Sequence, residues 1–520
     1  MRMARALWIS AATMASRVLG LARDQLFAAL VGANAYSDAF VAAFRIPNLL
    51  RDLFAEGALS SAFVPTFADY QRNRGPGEAF RLANIVAGLI LVVVGAVVLL
   101  GLLFAPQIVS VIAPGFAPEQ AAITVRLTRI MMPFLLLVSL AAAAMGVLNA
   151  QGRFTAPALA PALFNVGSIG VGLGLWAAGL GPEAAVTGWS IGTLLGGVLQ
   201  LLAQVPSLRA TGFRFGLVLG SAWSEPGVRR IARLMGAAVI GLSATQVNIV
   251  VNTIFASHEE RAVTWLNFAF RLMQFPLGVF GVAIATVAGA GVAQKAAERD
   301  MPAVRETLGR AMRMVAFLNV PSAVGLAMLA GPIISLVYQH GRFTSADTHG
   351  TAQALVFYAL GLYAYSGVKV FAPAFYALDA ARVPLVGSVL GMAANLALNI
   401  TLYPVLGYRG VALGTSLAAT ANFAVLVIAW RRRFGGLGGT GVVPQFLKVL
   451  AASGVLAVGC WAAERAVGAG AWESSRLVHQ AVGALVPIAV GAALYFGAAR
   501  LLRLDEASDL ASLARRRRRS

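Results

Sequence analysis

Cysteine is all but missing: Cys460 stands alone among 520 residues, which excludes disulfides and any cysteine-ligated metal cluster. Histidine is scarce as well. The four copies, at 258, 340, 349 and 479, show no metal-ligand spacing. Charge is the third shortage, since 12% charged residues is about half the 25% usual in soluble globular chains. The sequence also lacks a nucleophile elbow, a P-loop and a zincin motif, so nothing in it reads as an enzyme and no cofactor is implied. GLGGTG at 436–441 matches a dinucleotide-binding string, but it follows RRRF at the end of an apolar run with no strand before it. It is read as a loop.

What is present is apolar surface. With 59% hydrophobic residues and a mean hydropathy of +0.77, the chain reads as a polytopic membrane protein. Runs of about 20 apolar residues suffice to cross a bilayer. They fall near 6–32, 37–69, 81–111, 120–150, 155–179, 184–204, 228–256, 262–294, 303–338, 350–378, 383–403, 409–431, 443–467 and 477–502. The predicted fold is therefore all-α with fourteen transmembrane helices.

The net charge of +20 invites a nucleic-acid reading, but its distribution argues against one. Basic residues crowd the connections after even-numbered helices: Arg72 and Arg74, Arg153, Arg209 and Arg214, Lys295 and Arg299, Arg382, and Arg431 to Arg433. Connections after odd-numbered helices have almost no basic excess. The positive-inside rule then puts both termini in the cytoplasm, and RRRRR at 515–519 suits an anionic inner leaflet. The start resembles a signal peptide, with Arg2 and Arg5 before a short apolar run. No cleavage is expected, because the apolar segment continues through Arg17 and Arg23 to about residue 32.

The chain repeats at a spacing of about 226 residues. AFR recurs at 43–45 and 269–271, NAQGRFTAP (149–157) matches YALDAARVP (376–384), and GPEAAVTGWSIGT (181–193) matches GYRGVALGTSLAA (407–419). Six helices separate the copies, so the repeats are parallel, as in transporters built from two six-helix lobes around a cavity. The expected domains are a first lobe (1–204), a cytoplasmic linker (205–227), a second lobe (228–431), a helix pair (443–503) and a basic tail (504–520). Two small-residue patterns, Gly170 with Gly174 and Gly192 with Gly196, would permit close helix packing.

Charge inside the apolar runs is concentrated in the first 60 residues. SRVLGLARD places Arg17 with Asp24, and Ser16 with Arg23, on shared faces of helix 1. On helix 2, Asp38, Arg45 and Asp52 follow at seven-residue steps with Asn48 on the same side, Arg51 beside them and Glu56 beyond. Pro47 should bend or unwind that helix. An ionised side chain at the bilayer centre costs about 3 kcal/mol even on insertion scales, so such residues face a protein interior or a watery cavity. They could simply pair, Arg17 with Asp24 and Arg45 with Asp52. Arginine nevertheless outnumbers what pairing needs once Arg271, the repeat equivalent of Arg45, is counted. Surplus guanidinium in a cavity calls for an anion, and its fork suits phosphate. Arg126 and Arg129 read as interfacial.

SRVLGLARD, DAFVAAFRIPNLLRDLFAEGALSSAFVPTF, LTRIMMPFLLLVSLAAAAMGVLNAQGRFTAPALAP, RLMQFPLGVFGVAIAT and KVFAPAFYALDAARVP closely resemble the MurJ/MviN family, over essentially the whole chain. The resemblance implies a bacterial inner-membrane lipid II flippase of the multidrug/oligosaccharidyl-lipid/polysaccharide exporter superfamily. Such a protein carries a peptidoglycan precursor across the membrane by alternating access, with helices 13 and 14 forming a groove for the lipid tail. By motif, the family's cavity arginines fall on Arg17, Arg23, Arg51 and Arg271. Arg45, Asp38 and Glu56 also match. The implied partners are lipid II, membrane lipids and peptidoglycan-synthesis proteins. Three departures stand out: Asp52 where a second basic residue is common, Phe270 for an aspartate and Gln274 for a glutamate. Some members bind sodium at positions matching Asn252, Asn395, Asn399, Val411 and Thr415. Both carboxylates of that site are asparagines here, so weak sodium binding at best is expected. The rival readings are export of another polyprenyl-diphosphate glycan, a drug/cation antiporter of the same superfamily, and a non-transporting scaffold. The basic cavity disfavours the antiporter, which would want acidic residues.

Overall fold

The computed structural model describes residues 2–52, 59–218, 220, 224–437, 439, 441–468 and 470–508. Glu56 and the basic run 515–519 lie outside the described residues, as does part of the 436–441 loop. Among the described residues the chain is helical, with no strand.

The helices are α1 (Arg2–Val31), α2 (Ala35–Arg51), α3 (Ser60–Asn73), α4 (Pro76–Leu89), α5 (Gly95–Leu103), α6 (Ala105–Ile112), α7 (Pro118–Met131), α8 (Phe134–Ala150), α9 (Thr155–Ala177), α10 (Pro182–Leu202), α11 (Val205–Arg209) and α12 (Pro226–Ala256). They continue as α13 (Ala262–Pro276), α14 (Val282–Ala297), α15 (Met301–Met328), α16 (Ala330–Tyr338), α17 (Ser345–Ala359), α18 (Leu362–Ala377), α19 (Arg382–Leu406), α20 (Tyr408–Phe434), α21 (Val442–Gly468) and α22 (Leu477–Leu501).

These helices account for the fourteen expected spans, several of them broken. Pro133 offers no N–H to the ladder, and the fourth span is interrupted there between α7 and α8. Wide π-turns at Ile90–Val94 and Leu277–Gly281 interrupt the third and eighth, and α17 and α18 meet at 45°. Among the described residues, ten helices and the bent pair α17–α18 are long and apolar enough to cross a membrane. α12 enters only as the shorter apolar helix Gln246–Ala256, and α1 and the α2–α3 pair are not among them. Arg17, Arg23 and Asp24 lower the hydropathy of α1, while α2 and α3, at 17 and 14 residues, are each too short.

Packing divides the chain into two compact units: residues up to Val263 with Gly341–Phe343, and the remainder from Thr264. The division follows α12 rather than preceding it, because α12 packs against α3, α4 and α6 of the first unit. Sequence repeat and packing unit therefore differ by one helix. In the first unit α1 lies on α9, which lies on α10, while α2 packs on α7 and α3 on α8. In the second, α19 pairs with α20, α14, α15 and α18 form a core, and α21 packs on both α15 and α22. The repeated sequences occupy equivalent places: 151–154 separates α8 from α9, 378–381 separates α18 from α19, and α10 and α20 each begin inside the third match.

Of the two small-residue patterns, one packs and one does not. A Cβ on Gly196 would stand 2.7 Å from the Phe164 carbonyl, and one on Gly192 would stand 3.0 Å from Val171. Gly170 and Gly174 have nothing within 4 Å of that position, so they do not mediate helix packing in this structure. Arg342, isolated in the sequence, closes the end of α1. Its N–H donates to the Ala29 carbonyl at 2.8 Å, and its guanidinium donates to Leu30 at 2.9 Å and to Leu180 at 3.2 Å. A cation there also complements the negative end of the helix dipole.

Candidate functional site

In the first unit the charged residues of α1 are organised by α9. Arg23 donates from Nε and Nη2 to Oδ1 of Asp24, at 3.2 and 3.0 Å, and its guanidinium lies 5.4 Å from the Phe164 ring centroid. Asn165, next to that ring, donates to the Ser16 carbonyl at 3.0 Å and so fixes α1 against α9. Arg23 and Asp24 are about 15% and 13% exposed, which leaves the ion pair within reach of water. Arg17 is exposed and Ser16 half-buried.

A second group forms where α2 meets α12. Arg51 donates to Oδ1 of Asp52 at 3.2 and 2.9 Å, and Gln246 of α12 donates to the other oxygen, Oδ2, at 3.2 Å. Arg45 donates to the Ile249 carbonyl at 3.2 Å. Asn48 is half-buried on the same helix. α2 continues through Pro47 as far as Arg51, so the helix does not unwind at the proline.

In two cases the partners differ from what shared helix faces alone suggest. The ion pairs seen are Arg23–Asp24 and Arg51–Asp52, between sequence neighbours, rather than the seven-residue pairs Arg17–Asp24 and Arg45–Asp52. Shared helix faces put residues on one side, but Arg23 and Arg51 can fold back onto the next carboxylate without any second helix. Asp38 is the other case. It is fully buried and accepts the Arg261 backbone N–H at 2.7 Å, holding the turn after α12, where Arg261 adopts a left-handed φ of 70°.

In the second unit Arg271 is half-buried on α13, less than two turns before the π-turn at Leu277–Gly281. Its neighbour Phe270 stacks edge-on against Tyr358, with centroids 5.4 Å apart, and so fills with an aromatic ring the position where an aspartate is common. Asn395, Asn399, Val411 and Thr415 gather between α19 and α20, all buried. Thr415 Oγ1 donates to the Val411 carbonyl at 2.7 Å, Asn395 Nδ2 lies 3.5 Å from that hydroxyl, and Asn399 Nδ2 lies 3.4 Å from Asn395 Oδ1. Asn252 belongs to α12, in the first unit. Among the described residues, no group of three or more His, Cys, Asp or Glu side chains could hold a metal ion.

Gln246, Asn165 and Phe164 were not singled out from the sequence. Gln246 and Asn165 are amides in otherwise apolar runs, a signal available in principle, whereas nothing in the sequence marked Phe164. Arg126 and Arg129, read as interfacial, both have partners. Arg126 pairs with Glu183 at 2.9 Å, and Arg129 donates to the Leu102 carbonyl at 3.2 Å, both exposed. Chemically, the first unit presents several guanidinium groups on helices whose other surface is apolar, Arg23 and Arg51 steadied by an adjacent carboxylate and Arg45 by a carbonyl. That arrangement suits an anionic group attached to a hydrophobic body.

The family model described as lipid II flippase MurJ matches residues 27–479. A lipid II flippase MurJ of Burkholderia cenocepacia is 33% identical over 456 residues, covering 87% of this chain and 88% of that one. A probable lipid II flippase MurJ of Vibrio cholerae is 34% identical over 428 residues, covering 80% and 81%. Among solved structures, a lipid II flippase MurJ in an inward closed conformation aligns with a TM-score of 0.79 at 25% identity, covering 96% of this chain and 99% of that one. An inward-facing multidrug transporter of the MATE family aligns with a TM-score of 0.68 at 16% identity, over 83% and 98%, a likeness of fold alone.

Proposed function

The chain belongs to the lipid II flippase MurJ family, and on that ground we propose that it moves lipid II from the cytoplasmic to the periplasmic leaflet of a bacterial inner membrane by alternating access. The observation that carries the reading to chemistry is the guanidinium set on α1 and α2, half-buried or exposed on helices that otherwise belong in lipid. Arg17, Arg23 and Arg51 engage the diphosphate, Arg271 supplies the second lobe's contribution, and Arg45, tied to the Ile249 carbonyl, completes the set. Several like charges cannot be buried dry, so the resting cavity is hydrated and substrate supplies the missing negative charge. Asp24 and Asp52 hold the guanidinium planes and limit their mutual repulsion.

Loop charge supports an orientation with both termini in the cytoplasm. A cysteine replacing Thr211 should then be labelled by an impermeant maleimide only after the cells are opened. Labelling of intact spheroplasts would refute that topology.

Depleting the protein from its host should cause lipid-linked peptidoglycan precursor to accumulate before lysis. Loss of a capsule alone would point instead to another polyprenyl-diphosphate glycan. Amide, hydroxyl and carbonyl oxygens hold a hard cation less strongly than carboxylates do, so sodium is not the driving ion. The inside-negative potential favours outward movement of an anionic substrate. Proteoliposomes should flip lipid II equally well in potassium and in sodium buffer, and a sodium requirement abolished by Asn399→Ala would contradict this.

A further inference from the structure

One cavity in the first unit is lined by none of the charged residues of α1 and α2. It has a volume of about 880 Å³ and lies among α3, α4, α8, α10 and the linker that follows α11. That volume is near the top of the range of about 300–1,000 Å³ for small-molecule sites. Its walls are apolar, with Leu91, Ala144, Leu202 and Phe213 representative, and at the α11 end two arginines, Arg209 and Arg214, join the lining.

That end is firmly built. Arg153 donates to the carbonyls of Ser207 and Ala210, at 3.4 and 2.9 Å, and caps α11. Asn84 clamps the following segment from both sides, donating to the Arg214 carbonyl at 3.0 Å and accepting the Gly216 N–H at 3.1 Å. Phe213 is buried edge-on against Phe80, while Phe215 and Leu202 remain more than half exposed at the mouth. Arg209 and Arg214 are exposed and have no acidic partner among the described residues.

We propose that this groove is a binding site for one anionic glycerophospholipid, with an acyl chain in the cavity and its phosphate between Arg209 and Arg214. Charge complementarity selects that occupant. An apolar tail alone would leave the two arginines unused, and a zwitterionic headgroup would bring its own cation to them. A free anion would leave the cavity unused. The lipid would brace the linker between the two sequence repeats, a function separate from the substrate path.

The test uses full-length protein in nanodiscs containing phosphatidylglycerol with a photoactivatable acyl chain, against the matching phosphatidylcholine probe. Peptide mapping should place the phosphatidylglycerol label on 83–91, 140–147 and 201–215, in excess over phosphatidylcholine. Arg209→Gln with Arg214→Gln should reduce that label by about thirtyfold, corresponding to about 1 kcal/mol for each arginine near a charged surface. Ala144→Phe, which fills the cavity without touching charge, should also reduce it. Equal labelling by the two lipids, or a label unchanged in the arginine double variant, would overturn the proposal. So would displacement of the probe by an equimolar polyprenyl diphosphate, which would assign the groove to the substrate tail.

Discussion

Arg23→Ala should abolish complementation of a depleted strain while the protein is still made, inserted and folded. In the structure the side chain meets the carboxylate of Asp24 and the ring of Phe164, and the proposed mechanism adds the substrate diphosphate. The first two are weak stabilisers, because a partly exposed pair contributes about 0–1 kcal/mol and a cation–π contact a similar amount. Loss of a charge-assisted bond to phosphate in a cavity costs about 1.5–3 kcal/mol, which is roughly tenfold to a hundredfold in binding. Function is therefore expected to fall much further than stability. Arg23→Lys should rescue only partly, since a point charge lacks the planar fork. The pairing seen in the structure also decides which charge swap is informative. If Arg23 only neutralises Asp24, then Arg23→Asp with Asp24→Arg should restore growth. The diphosphate reading requires that it does not.

Asp38→Ala should have the opposite signature, with stability lost first. Its carboxylate is fully buried and accepts the Arg261 N–H at 2.7 Å, at a residue already in the left-handed region. Removing the acceptor leaves a buried donor unsatisfied, at a cost of about 1–3 kcal/mol, and frees a backbone conformation that costs an L-residue about 1–2 kcal/mol. The apparent melting temperature of the purified protein should drop by several degrees. Asp38→Asn keeps an acceptor oxygen and should recover most of the loss. An Asp38→Asn variant that is stable yet inactive would instead give Asp38 a direct electrostatic part in transport.

Much of this was legible in the sequence, for identifiable reasons. The fourteen spans follow from apolar length, and the equivalent turns at 151–154 and 378–381 follow from a repeat that kept its alanine, basic residue and proline nearly in register. Helical periodicity identified the charged faces of α1 and α2 but not their partners. Periodicity reports direction, whereas the partner depends on how a long side chain folds and which helix lies opposite. Hence Arg23 turned to Asp24, Asp52 met Gln246, and Asp38 met a backbone N–H 223 positions along the chain. Pro47 suggested a break, but α2 continues through it to Arg51, because a proline removes a single donor and the ladder re-forms beyond it. The apolar groove had no sequence signature, since its walls come from five segments and only Arg209 and Arg214 carry charge.

The central claim is that the first-unit arginines recognise a diphosphate, and its most direct test is a comparison of two lipids. Purified protein would be titrated with undecaprenyl diphosphate and undecaprenyl monophosphate, with binding read by native mass spectrometry. Bidentate guanidinium contacts predict tighter binding of the diphosphate to the wild-type chain, and collapse of that preference in the triple variant Arg17→Gln, Arg23→Gln, Arg51→Gln. Equal affinity for the two lipids in the wild type, or a preference that survives in the triple variant, would contradict diphosphate recognition by these arginines.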